Sequence, residues 1–218
     1  MTGTDARKHW PIWTLVVLAV VSTVWSAVHP REYDTWFFEI MLGVPGVVVL
    51  VVVYRRFRFS SLVYLVCAVH FVVLAVGAKY TYAEVPLFNW MRETLSLSRN
   101  HFDRVGHFLQ GFTPALLCRE LLLRTSRLGR GKWLSFICVA VPLAFSAFYE
   151  LLETWWVLAF YPTSGPEWLG HQGDIWDAQW DMTMALLGAM LAVFVFGRLH
   201  DRTMRTVPAP SETEGTGS

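Results

Sequence analysis

Three groups of side chains have the types and spacing to do chemistry. Asp103 and His107, four residues apart, share one helical face, with His101 just above them and Gln110 one turn further on. Glu150 and Glu153 form an i, i+3 pair, and Asp174, Asp177 and Asp181 follow an i, i+3, i+7 pattern, so each set projects from one side of a helix. Carboxylates joined by an imidazole suit Zn, Mn or another divalent ion. Such an ion activates water while a free Glu or His moves the proton. The candidate metal ligands are therefore Asp103, His107, Glu150, Glu153, Asp174, Asp177 and Asp181. Candidates for the chemical step are His107, Glu150, Glu153 and Asp181, and candidates for contact with substrate are His101, Gln110 and Trp176. The chain has no HExxH, CxxC pair or Walker loop, so the expectation rests on several residues converging at one depth.

The elements that must position these groups are hydrophobic helices. Of 218 residues, 54% are hydrophobic and only 16% charged, well to the apolar side of a soluble domain. The apolar residues fall in blocks near the ~20 residues that span a bilayer core about 30 Å thick. The blocks predict an all-α, polytopic membrane bundle of about six transmembrane helices: 10–28, 35–54, 59–78, 104–123, 133–160 and 178–199. Pro45 is expected to kink the second. The fourth is the polar one, with His107, Gln110, Pro114, Arg119 and Glu120. Residues 1–205 read as a single domain and 206–218, rich in Pro, Ser, Thr, Gly and Glu, as a disordered cytoplasmic tail. Between the third and fourth helices, Leu87, Phe88, Trp90, Met91 and Leu95 suit a short amphipathic helix in the interface. The block 10–28 exceeds a signal-peptide core and reads as a retained anchor.

Orientation follows from Lys and Arg. One side of the alternating topology carries Arg7, Lys8, Arg55, Arg56, Arg58, Arg124, Arg127, Arg130, Lys132, Arg198, Arg202 and Arg205, twelve in all; the other carries five, Arg31, Lys79, Arg92, Arg99 and Arg104. The positive-inside rule then puts both termini in the cytoplasm. The acidic groups and His107, joined by Glu39 at the start of the second helix, fall at the outer ends of four helices. The net charge of +1 offers no basic surface for nucleic acid, and the expected surroundings are the lipid bilayer.

Each candidate also has a structural reading. Asp174 and Asp177 favour a helix N-terminus whatever the function. Asp181 and Glu153 adjoin uncharged runs and call for an internal partner, for which Arg99 or Arg104 is available. His70, alone near mid-membrane, reads as hydrogen-bonded to a neighbouring helix. Arg119 and Glu120 read as interfacial, with Arg119 snorkelling to headgroups. Cys67, Cys118 and Cys138 read as buried apolar thiols. The aromatics at the outer level, Tyr80, Tyr82, Trp90, Trp155, Trp156, Trp168, Trp176 and Trp180, read first as an interfacial belt.

The stretches Lys79-Tyr-Thr-Tyr-Ala-Glu-Val-Pro-Leu-Phe, Arg99-Asn-His-Phe-Asp-Arg-Val-Gly-His-Phe, Tyr149-Glu-Leu-Leu-Glu and Gly173-Asp-Ile-Trp-Asp-Ala-Gln-Trp-Asp-Met resemble YjdF-like bacterial inner-membrane proteins over most of residues 59 to 200. That resemblance implies a multi-pass protein of the bacterial inner membrane and carries no assigned activity. A looser likeness is to VanZ-like membrane proteins, matched by Asp103 to His107, Glu150 with Glu153, and Asp174 with Asp177; Asp181 departs from it, where that pattern favours Asn. Three functions remain open: a divalent-metal site acting on a lipid or lipid-linked substrate, a cation- or proton-coupled transporter, and a structural membrane protein held by an internal ion-pair network.

Overall fold

The computed structural model describes residues 3–160 and 171–207, and among them every regular element is helical. In chain order these are α1 (Gly3–Ala27), α2 (Tyr33–Val53), α3 (Ser61–Tyr80), α4 (Pro86–Thr94), α5 (Phe102–Thr125), α6 (Lys132–Phe160), a 3-10 turn (His171–Gly173) and α7 (Asp177–Met190). A short π-helical segment (Leu191–Val195) and α8 (Gly197–Met204) complete the described chain. Five helices are long and apolar enough to cross a membrane: α1, α2, α3, α6 and the stretch Asp177–Val195. α5 has the length, at 24 residues, but carries Asp103, Arg104, Arg119, Glu120 and Arg124. α2 stays helical through Pro45. The expected interfacial segment is α4, which leaves Leu87 and Trp90 exposed. The tail from 208 onward and the aromatic Trp168 lie outside the described residues.

The helices fall into two groups of three. α1 and α2 pack on α3, while α6 and α7 pack on α5, and α3 against α5 joins the groups. The tightest seam is α5 on α7, where small residues let the backbones touch. A methyl group placed on Gly111 would stand 1.8 Å from the Ala185 carbonyl oxygen, and one on Gly188 would stand 2.0 Å from that of Phe108. Fully buried Ala115, Ala185 and Ala189 continue the seam, and it fixes the level at which the polar starts of α5 and α7 meet.

Two sequence expectations are corrected. Arg119 and Glu120 do not face outward to headgroups: both are buried in the protein, and Glu120 is fully so. Glu120 Oε1 accepts from the Ser60 N–H (2.8 Å) and Arg124 (2.7 Å), while its Oε2 lies 3.0 Å from His200 Nε2. Arg119 reaches His200 Nδ1 (3.4 Å) and Asp201 (2.9 Å), and Arg130 closes on Asp201 from the surface. The reason is tertiary: α8, which continues α7 beyond the π-helical segment, supplies His200 and Asp201 where the local sequence offered only headgroups. His70, expected to bond a neighbouring helix, forms no hydrogen bond with a described residue. Of the cysteines, Cys67 and Cys138 are buried and Cys118 half-buried, all as free thiols.

Candidate functional site

At the end of the bundle where α2, α5 and α7 begin and α6 finishes, the structure gathers most of the sequence candidates. Each arrives for a local reason. Asp103 and His107 occupy successive turns of α5 on the side facing α6 and α7. Asp174 precedes α7 and its Oδ1 accepts from the Trp176 N–H at 3.0 Å, so it shapes the turn into the helix as the structural reading expected. Its Oδ2 also faces Arg99 (3.3 Å) and Arg104 (3.4 Å). Asp177 Oδ1 accepts from Arg99 at 2.6 Å and from Arg104 at 2.7 Å, and Asp181 Oδ1 pairs with Arg104. Of the two acids for which Arg99 or Arg104 was expected as partner, Asp181 is paired with Arg104 and Glu153 meets neither, because α6 presents it a turn beyond Glu150.

The two arginines do not exhaust the carboxylates. Asp103 presents Oδ2 to Arg99 and Arg104, each at 3.5 Å, while its Oδ1 lies 3.4 Å from His107 Nε2. Asp181 repeats the pattern: Oδ1 faces Arg104 and Oδ2 lies 3.7 Å from the same Nε2. One oxygen of each aspartate is held by a guanidinium and the other is turned toward one imidazole nitrogen. Ligand atoms of Asp103, His107 and Asp181 all lie within 4.8 Å of one another. The spacings of 3.4 and 3.7 Å exceed the ~2.7–3.2 Å of a good N–H···O bond. The first is close to the separation of about 3.4 Å between ligands each ~2.1 Å from a tetrahedral ion, and the second is wider.

Behind this trio stands Glu150. Its Oε1 is 3.9 Å from His107 Nδ1, and both atoms are buried without a hydrogen-bond partner. A carboxylate behind the second nitrogen of a metal-bound histidine fixes the ring's tautomer and orientation. Five carboxylates, those of Asp103, Asp174, Asp177, Asp181 and Glu150, thus face two guanidinium groups, and the excess negative charge in a poorly solvated site needs a cation or protons.

The remaining candidates are placed apart from the trio. Glu153, a turn beyond Glu150, forms no hydrogen bond or ion pair with a described residue. His101 sits at the N-cap of α5 outside the apolar spans, and burial together with Arg99 and Arg104 nearby holds its imidazole below the ordinary value. Trp176 is exposed and serves through its backbone N–H. Gln110 lies one turn below His107, with a buried Oε1 lacking a partner.

Several supporting residues escaped the sequence reading. Asn100, fully buried, donates to the Val85 carbonyl and to Asn89 Oδ1, and its backbone exchanges two bonds with the Gln172 side chain (2.8 and 2.9 Å). These contacts clamp the approach to α5 onto α4 and the turn before α7. Tyr149 donates to Glu39 Oε1 at 3.0 Å. No spacing in the sequence pairs Asn100 with Gln172 or Tyr149 with Glu39, because each pair joins distant segments.

The apolar helices and their polar end define a multi-pass membrane protein. The chain belongs to the family described as predicted membrane protein (DUF2238), whose model matches residues 11–202. It is similar to the inner membrane protein YjdF of Escherichia coli (strain K12), with 39% identity over 182 residues, covering 84% of this chain and 87% of that protein. No solved structure matches.

Proposed function

We propose that this protein is a six-helix inner-membrane protein with cytoplasmic termini and a divalent-cation site at its outer-leaflet face, acting on a lipid or lipid-linked substrate. The charge asymmetry of the loops supports that orientation, and α5, although polar, has the length to be the sixth span. Residues 1–205 form one unit in this reading, with the polar tail extending from it.

A single observation carries the cation reading: Asp103 Oδ1, Asp181 Oδ2 and His107 Nε2 converge while Arg99 and Arg104 hold the opposite carboxylate oxygens. The ion-pair network and the metal site are therefore compatible. The arginines aim the ligands, and Glu150 aims the imidazole. Three protein ligands leave a fourth position for water, the arrangement in which a bound ion lowers the pKa of water and generates a nucleophile.

Elemental analysis of protein purified without chelator and equilibrated with Zn or Mn tests this reading. About one ion per chain is expected in the native protein, with loss in His107→Ala and in Asp181→Asn. Metal-free native protein, or variants that keep the ion, would overturn it.

A further inference from the structure

The two helix groups leave a seam that backbone packing does not close. α2 packs on α1 and α3, and α6 on α5 and α7; α2 and α6 meet through long side chains near one end. There Tyr149 donates to Glu39, and the Phe38 ring lies 5.7 Å from that of Tyr149 and 5.6 Å from that of Trp156. Two turns further into the bundle on the Glu39 side of α2, a methyl on Gly46 would meet nothing within 4 Å. Phe145, one turn below Tyr149 on α6, is 61% exposed. The seam is thus bridged at the level of the site, and beneath it an uncovered glycine and an exposed phenyl ring form an apolar rim over buried polar atoms.

Behind this rim the wall changes character. α5 and α6 run antiparallel with His107 opposite Glu150, so the next level inward brings Gln110 toward Ser146. Gln110 Oε1 and the Ser146 hydroxyl are buried without partners, as are His107 Nδ1 and Glu150 Oε1 above them. Ser146 is fully buried and does not bond back to its own helix, whereas Ser22, Thr125, Thr154 and Thr183 all bond the carbonyl four residues earlier. Unmade bonds of this kind cost free energy until a polar partner arrives. α2 can yield there, since Pro45 removes one of its hydrogen bonds and Gly43 and Gly46 flank it.

We propose that the α2–α6 seam is a binding site for the acyl chain of a bilayer lipid, admitting its polar end to Gln110, Ser146 and the Asp103–His107–Asp181 centre when the Tyr149–Glu39 bridge parts. An apolar rim facing hydrocarbon and unsatisfied hydrogen-bonding atoms behind it fit an amphiphile entering sideways, with the bilayer as its source. This rests on the reading of that centre as a lipid site, but on different residues.

The test reconstitutes the full chain in vesicles of phosphatidylethanolamine and phosphatidylglycerol carrying a phosphatidylcholine with a diazirine close to the ester end of one acyl chain. After irradiation, adducts are mapped by mass spectrometry and normalised to bilayer-facing Val48 and Phe136. Adducts at Phe145, Gln110 and Ser146 are expected in the native protein and should rise several-fold in Tyr149→Phe. They should stay near the native level in Glu39→Gln, whose amide oxygen still accepts from Tyr149. Phe38→Cys with Trp156→Cys, joined by a short bis-maleimide, should suppress them. Adducts confined to outward faces, or unchanged by parting and by cross-linking the bridge, would overturn the proposal. Metal content measured on the same preparations separates the two readings: seam labelling without bound metal removes the cation site and leaves the lipid site, and the converse result does the reverse.

Discussion

The bundle carries a buried polar cluster at each end, and the two are built on opposite terms. At one end, Glu120, His200, Arg119 and Asp201 are saturated: both imidazole nitrogens have partners, and three donors converge on the Glu120 carboxylate. At the other, His107 Nδ1 and Glu150 Oε1 face each other at 3.9 Å without bonding, and His107 Nε2 stands at 3.4 and 3.7 Å from two carboxylates. A saturated cluster has no valence left for a ligand, so its work is to hold α5, α8 and the start of α3 together. An under-satisfied cluster is held open by its surroundings, here the two arginines, and so has capacity to bind.

The largest loss is expected of Gly111→Val, which forces apart the seam that aligns both clusters. Because the clash is with the Ala185 backbone, the loss should exceed about 3 kcal/mol, beyond the usual overpacking range, and should show as aggregation on size exclusion. Glu120→Ala should cost about 3–5 kcal/mol by removing the buried carboxylate on which Ser60, Arg124 and His200 converge, with metal content unchanged in whatever folds. His107→Ala should do the opposite, abolishing metal binding by elemental analysis while costing the metal-free protein less than Glu120→Ala does, since the carboxylates around the imidazole stand at 3.4–3.9 Å, beyond good hydrogen-bond length.

Finer substitutions sharpen the contrast. Glu150→Gln should weaken metal affinity about 10–100-fold in a competition titration, the usual effect of losing a carboxylate behind a ligating histidine. The smallest effect is expected of Arg130→Ala, about 0–1 kcal/mol, because Arg130 is 64% exposed on its side chain. Although burial pushes the Asp201 carboxyl upward, hydrogen bonds from Arg130 and Arg119 bring it below its ordinary value. A lowered carboxyl stabilises the fold above its unfolded pKa and loses that contribution as pH falls through the folded one. The Arg130→Ala difference in acid unfolding should therefore shrink as the carboxylate range is crossed downward.

The existence of the helices was legible because spanning length and uncharged blocks are local properties of the chain. The i, i+4 and i, i+3 spacings of Asp103 with His107 and of Asp174 with Asp177 likewise placed candidates on shared faces, and from charge alone Arg99 and Arg104 could be named as partners for Asp181, which Arg104 meets, and for Glu153, which neither does. The role of each acid was not legible. Glu150 and Glu153 are equivalent in sequence, yet only Glu150 faces His107. Arg119 and Glu120 looked like residues at a lipid surface until α8 brought His200 and Asp201 beneath them.

By itself, then, the sequence determined that this is a helical membrane protein with acidic helix ends gathered on one side, since hydropathy and charge act residue by residue. Only the tertiary structure decided which oxygens the arginines occupy, which remain turned toward His107, and which helices stay apart at the α2–α6 seam. Those features depend on how close two backbones approach, and that distance is set by glycines and alanines whose identity means nothing until the facing helix is known.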